Sequence, residues 1–127
     1  MVHAKFAAAI NCMDGRVQLP VFEFLRQRYG VDYVDTITAP GVVGILAGAS
    51  DAEFEAFLKR SLRVSLEKHG SRLIAVAAHH DCAGNPVDKA KQIEQTKVVI
   101  EKLRSWGFDA NFVGLWVNEN WKVIEIE

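Results

Sequence analysis

Apolar residues along this chain fall into two kinds of run. Short, nearly continuous runs read as strands: Lys5 to Asn11, stopping at Cys12; Tyr33 to Thr38, stopping at Ala39-Pro40-Gly41; and Arg72 to Ala78, stopping at His79. Asn111 to Val117 is a fourth, with Lys122 to Ile126 as its hairpin partner across Asn118-Glu119-Asn120. Between them, apolar positions recur at helical spacing. Pro20 to Tyr29 carries Val21, Phe22, Phe24 and Leu25, and Gly30 suits its C-terminal cap. Asp51 to His69 carries Phe54, Phe57, Leu58 and Leu62, opens on the capping-box spacing Ser50-Asp51-Ala52-Glu53 and ends at Gly70. Pro86 to Trp106 starts after Asn85 as candidate cap, with Ile93, Ile100 and Leu103 as its apolar face. The Gly- and Ala-rich stretch Ala39 to Ala49 reads as a loop.

Strands alternating with helices imply βαβ units and right-handed crossovers. The continuous apolar runs suit strands covered on both faces. The expected fold is α/β, a three-layer domain spanning 1–127, with a mostly parallel central sheet flanked by helices. At 127 residues the chain suffices for one core and falls short of two.

Composition narrows the function. Fifteen basic residues against 16 acidic ones leave no electrostatic footprint for nucleic acid and no polybasic patch for a membrane surface. No apolar run approaches the length of a membrane span, and Asn11 and Asp14 interrupt the first one too early for a signal peptide. The expected location is the cytoplasm, where two cysteines serve as thiols or metal ligands rather than as a disulfide.

The candidate chemistry lies at strand ends. Cys12 and His79 each follow an apolar strand, and sites in open α/β sheets form outside the carboxyl ends of strands. His79-His80-Asp81-Cys82 can bend there to present His79 and Cys82 to one ion. Either motif alone is as well explained by a small buried thiol or a satisfied histidine. Their shared sheet edge favours a zinc site of two thiolates and one imidazole, with a fourth position open. Asp14 follows two residues after Cys12. It can accept a proton from metal-bound water or ligate the metal itself, and Arg16 beside it would hold it ionised and oriented. Other cysteine and glycine motifs fit worse. Cys12-Met13-Asp14-Gly15-Arg16 is too short for a phosphatase loop, no two cysteines lie close enough for a thioredoxin-type centre, and Rossmann and P-loop spacings are missing.

These residues resemble the β-class carbonic anhydrases. Cys12-Met13-Asp14-Gly15-Arg16 matches that family's Cys-x-Asp-x-Arg, and His79-His80-Asp81-Cys82 its His-x-x-Cys. Ser61 to Ala78 resembles the helix and strand leading into the second motif, and Val113-Gly114-Leu115-Trp116-Val117 the start of its closing strand pair. The resemblance implies Zn²⁺ held by Cys12, His79 and Cys82, and a dyad of Asp14 and Arg16. Asp14 would orient the reactive water or, in a closed form, become the fourth ligand. The implied reaction is reversible hydration of carbon dioxide to bicarbonate, in a homodimer or larger homo-oligomer. His80 or His3 could relay the proton to solvent. The alternatives are a catalytically silent zinc-binding relative and a hydrolase of COS or CS₂ on the same site. The chain also departs from the family pattern. Thr38-Ala39-Pro40-Gly41 stands where an Arg-Asn-Ala-Gly-like segment is usual, and Ala83-Gly84 reverses Gly-Ala. One helix replaces a longer helical region, and no N-terminal helical arm is read. The zinc site therefore carries over better than the pocket around it, for which Phe22, Phe24 and Val42-Val43 are candidate walls as well as core.

Overall fold

The computed structural model describes residues 4–127; His3 lies outside them. Five strands form one sheet in the order β2-β1-β3-β4-β5: β1 (Phe6–Cys12), β2 (Tyr33–Ala39), β3 (Leu73–His79), β4 (Asn111–Val117) and β5 (Val123–Ile126). The first four are parallel, and β5 returns antiparallel to β4. The α/β expectation is met, with strand ends within a residue or two of those predicted.

Helix α1 (Gly15–Tyr29) covers one face of the sheet, burying Val17, Val21 and Leu25 against Ala7, Ala9, Ala75, Ala77 and Leu115. The other face is covered by α2 (Val42–Ala47), α3 (Ala52–Arg63), a π-helical turn (Val64–Lys68) and α4 (Lys89–Ser105). Their contributions include Val42, Leu46, Leu58, Leu62, Leu66, Val99 and Leu103. Alanine at positions 7–9 of β1 and 75, 77 and 78 of β3 keeps the central strands thin, so helices pack closely on both sides.

The helices differ from expectation in their bounds, their caps and their buried faces. α1 begins five residues before Pro20. Asp14 caps it by accepting the Arg16 backbone N–H at 2.9 Å, and Pro20 sits inside the helix. The stretch read as a loop contains α2, because burial of Val42, Val43 and Leu46 outweighs the poor helix propensity of its glycines. α3 and α4 are capped by Asp51 and Asp88, whose carboxylates accept from Phe54 N and Lys91 N, rather than by Ser50 or Asn85. On α3, Phe57 faces solvent, with the Arg60 guanidinium over its ring. The buried stripe of α4 is Gln92, Thr96, Val99 and Leu103, with Ile93 and Ile100 only half-buried.

The connections set the position of the site. β1 leads through α1 to β2 on one side, while β3 leads through α4 to β4 on the other. The winding reverses between β1 and β3, and a crevice opens outside the carboxyl ends of strands at such a reversal. Cys12 is the last residue of β1 and His79 the last of β3.

Candidate metal centre

The register of β1 on β3 pairs Asn11 with Ala77, so the two strands end side by side. Cys12, His79 and Cys82, all buried, converge there, with one ligand atom from each within 4.8 Å of the others. The two sulfurs are 3.8 Å apart. The Gly41 N–H donates to Cys12 Sγ at 3.4 Å. Burial, and then the neighbouring Cys12, push the Cys82 thiol above its ordinary pKa.

The histidine is fixed for ligation. Its Nδ1 lies 2.7 Å from the His80 carbonyl oxygen, which requires the proton on Nδ1 and leaves the Nε2 lone pair free. That Nε2 is buried and has no hydrogen-bond partner. An orphaned acceptor beside two buried sulfurs is what a soft divalent cation would satisfy, with thiolates offsetting its charge. The donor set therefore fits zinc. Coordination would also reverse the pressure that keeps Cys82 protonated.

Asp14 lies outside this cluster. Arg16 holds it through Nε to Oδ1 at 3.0 Å and Nη2 to Oδ2 at 2.7 Å. This paired hydrogen bond is the chief reason the Asp14 carboxyl is lowered to about 2, so it is ionised at neutral pH. Both of its oxygens are engaged by the guanidinium.

Several supporting residues were missed by sequence reasoning. Gln92 accepts the His79 backbone N–H at 3.2 Å and donates to the Val87 carbonyl, which explains a buried amide on the packed face of α4. Gln18 donates to the carbonyls of Cys12 and Asp14 at 2.8 and 2.9 Å, tying the strand end to the helix start. Asn85 donates to Gln95 Oε1 and packs on Gly44. Gly41 and Gly84 meet backbone to backbone. A Cβ on Gly41 would lie 2.4 Å from the Gly84 carbonyl, and one on Gly84 would lie 2.7 Å from Gly41 N. The reversed Ala83-Gly84 order thus places glycine where the two loops touch. The signal available in sequence was polar residues inside otherwise apolar stripes. The residues weighed as pocket walls divide: Val42 and Val43 are core, whereas Phe22 and Phe24 are half-buried on α1. His80 is exposed, its N–H held by the Val117 carbonyl. A groove of about 1510 Å³ lies at the opposite ends of the strands, lined by Phe6, His69, Leu73 and Phe112 among others, and includes none of the candidate ligands.

Residues 2–127 match the family described as "Putative carbonic anhydrase". The chain belongs to this family. Its fold is that of the β-carbonic anhydrases. A solved carbonic anhydrase from Glaciozyma antarctica superposes with a TM-score of 0.61 at 18% identity, covering 100% of this chain and 85% of that one. The β-carbonic anhydrase CcaA gives 0.53 at 13% identity, covering 98% and 81%. A variant of the β-carbonic anhydrase CafD of Aspergillus fumigatus gives 0.55 at 12% identity, covering 100% and 91%. Comparison with curated protein sequences gives no significant match.

Proposed function

We propose that this chain is a zinc-dependent carbonic anhydrase that reversibly hydrates carbon dioxide to bicarbonate, with Cys12, His79 and Cys82 as the metal ligands. The observation that carries the reading is the unpartnered, buried Nε2 of His79 beside the two cysteine sulfurs, at the crevice where the sheet reverses its winding. When bound, zinc supplies Lewis-acid chemistry that brings the ionisation of water into the neutral range. The chain's own residues do the rest. Asp14, held ionised by Arg16, accepts a hydrogen bond from the attacking water and so directs its lone pair at the carbon. Arg16 keeps Asp14 engaged and so would keep that carboxylate from joining the three residues that would hold the metal. The His80 carbonyl holds the His79 ring in its ligating tautomer, and Gln92 fixes the His79 backbone by accepting its N–H.

The burial of all three ligand residues favours one rival, a zinc protein without hydration activity. Stopped-flow hydration of carbon dioxide by protein carrying one zinc per chain decides between them. Turnover well above the uncatalysed rate supports the enzyme, and its absence with zinc bound overturns that reading. The assembly that goes with the proposal is a homodimer or larger homo-oligomer, checked by sedimentation equilibrium. No described helix is long and apolar enough to cross a membrane.

A further inference from the structure

Among the described residues, two that are not glycine have positive φ: Asp81 at 58° and Trp121 at 59°. The left-handed region is costly for a side chain as large as tryptophan, and such strain persists only where the surroundings impose it. The two residues are far apart in sequence, yet both meet the same group. Arg16 Nη1 lies 3.3 Å from Asp81 Oδ2, and Nη2 donates to the Asp81 carbonyl at 3.1 Å. The Arg16 guanidinium carbon sits 4.4 Å from the centroid of the Trp121 ring.

The turn that carries Trp121 is well braced. Trp121 N–H donates to the Asn118 carbonyl, and Asn118 Oδ1 accepts from the N–H groups of Asn120 and Lys122. The indole also packs, half-buried, against the core beneath α1. Arg16 itself is nearly half exposed, and two carboxylates, Asp14 and Asp81, compete for its one charge. The pair with Asp81, in which both side chains are largely exposed, holds the guanidinium weakly on its own. A ring laid on one face of the guanidinium removes water from that face and leaves the edge free for in-plane hydrogen bonds.

We propose that Trp121 is a positioning residue for the Asp14–Arg16 dyad: its ring, braced by the strained β4–β5 turn, holds the guanidinium in the plane that grips Asp14 and so keeps that carboxylate from the metal. The inference rests on the zinc-site reading above only for its last clause, and the experiment separates the two. In metal-free, ¹⁵N-labelled protein, exchange of the Arg16 Nε–H, assigned by its loss in Arg16→Lys, reports the grip directly. Trp121→Leu, which keeps apolar bulk without a π face, should speed that exchange roughly three- to five-fold, the effect of losing a cation–π contact at a half-exposed site. Trp121→Phe should restore the wild-type rate. A wild-type rate in Trp121→Leu overturns the proposal, as does a Trp121→Phe rate equal to that of Trp121→Leu. In Co²⁺-loaded protein, the visible spectrum of Trp121→Leu should move toward that of Arg16→Ala, and adding Asp14→Asn should cancel the move. An unmoved spectrum overturns the clause concerning the metal. If wild-type protein shows no thiolate-to-cobalt absorption, the zinc-site reading fails, while the exchange rates still decide the role of Trp121.

Discussion

The Asp14 carboxylate caps α1 through the Arg16 backbone N–H and pairs with the side chain of the same arginine. An asparagine would keep the cap, because its side-chain oxygen still accepts that hydrogen bond. It would lose the charge that engages the guanidinium and, in the proposed reaction, orients the attacking water. Asp14→Asn should therefore retain zinc and fold while hydration activity falls about a hundredfold or more, the scale of a lost proton acceptor. Zinc content and stopped-flow turnover on one sample check this, and unchanged turnover would remove Asp14 from the mechanism. Gly84 tests the packing of the site. Its added Cβ would meet backbone atoms of Pro40 and Gly41 at 2.7 to 2.8 Å, and no flexible side chain is there to give way. Gly84→Ala should cost about 1–3 kcal/mol, read from urea unfolding of metal-free protein. A change within error would mean that the two loops separate freely.

At the scale of elements, sequence reasoning succeeded where burial on both faces left a continuous apolar run, as in β1 and β3, and in placing the ends of those strands at Cys12 and His79. The short spacing of Asp14 and Arg16 was enough to foresee their ion pair. It failed where tertiary packing outweighed local propensity. α2 was hidden by Gly41, Gly44 and Gly48 and is made by the burial of Val42, Val43 and Leu46. Leu103 of α4 was foreseen on its apolar face, whereas Gln92 and Thr96 were not, because they are buried for hydrogen bonds rather than for apolar area. Trp121 gave no local signal, since its partner Arg16 lies on α1. The joint between α2, α3 and α4 shows the same dependence on distant partners. Lys102 of α4 donates to the carbonyls of Leu46 and Gly48 and pairs with Glu55 of α3 at 3.3 Å. Glu55 also accepts from Ser50 Oγ, and that hydrogen bond, followed by Lys102, lowers its pKa on folding. The unfolded chain then binds the proton more readily, so the stabilisation is complete above the ordinary glutamate range, about 4.3. It is lost as pH falls through the lower folded value. Wild-type protein should exceed Glu55→Gln in urea midpoint near neutral pH, and the gap should close under acid. An equal gap at both ends would exclude the ionised pair as its source.

Across the whole molecule, the candidate centre ties the paired ends of β1 and β3 to the loop after β3 and the start of α2. Cys12 ends β1, His79 ends β3, and Cys82 lies in the loop that touches Gly41 at the start of α2. In the unfolded chain Cys12 is far from His79 and Cys82, so an ion that needs all three binds the folded state and draws the equilibrium toward it. With free zinc at a hundred times its dissociation constant, the gain is about 2.7 kcal/mol. For a chain of this size, at roughly 3–4 °C per kcal/mol, that amounts to about 10 °C in Tm. Cys82→Ser replaces a thiolate with a weak neutral ligand and should abolish most of this rise while leaving the metal-free Tm nearly unchanged, since serine fits the same space. Calorimetric scans of both proteins, with zinc and with chelator, separate the contributions. A full zinc-dependent rise in Cys82→Ser would move the ion to other residues. A rise absent from the wild type as well would mean that the orphaned His79 nitrogen has some other partner than a metal.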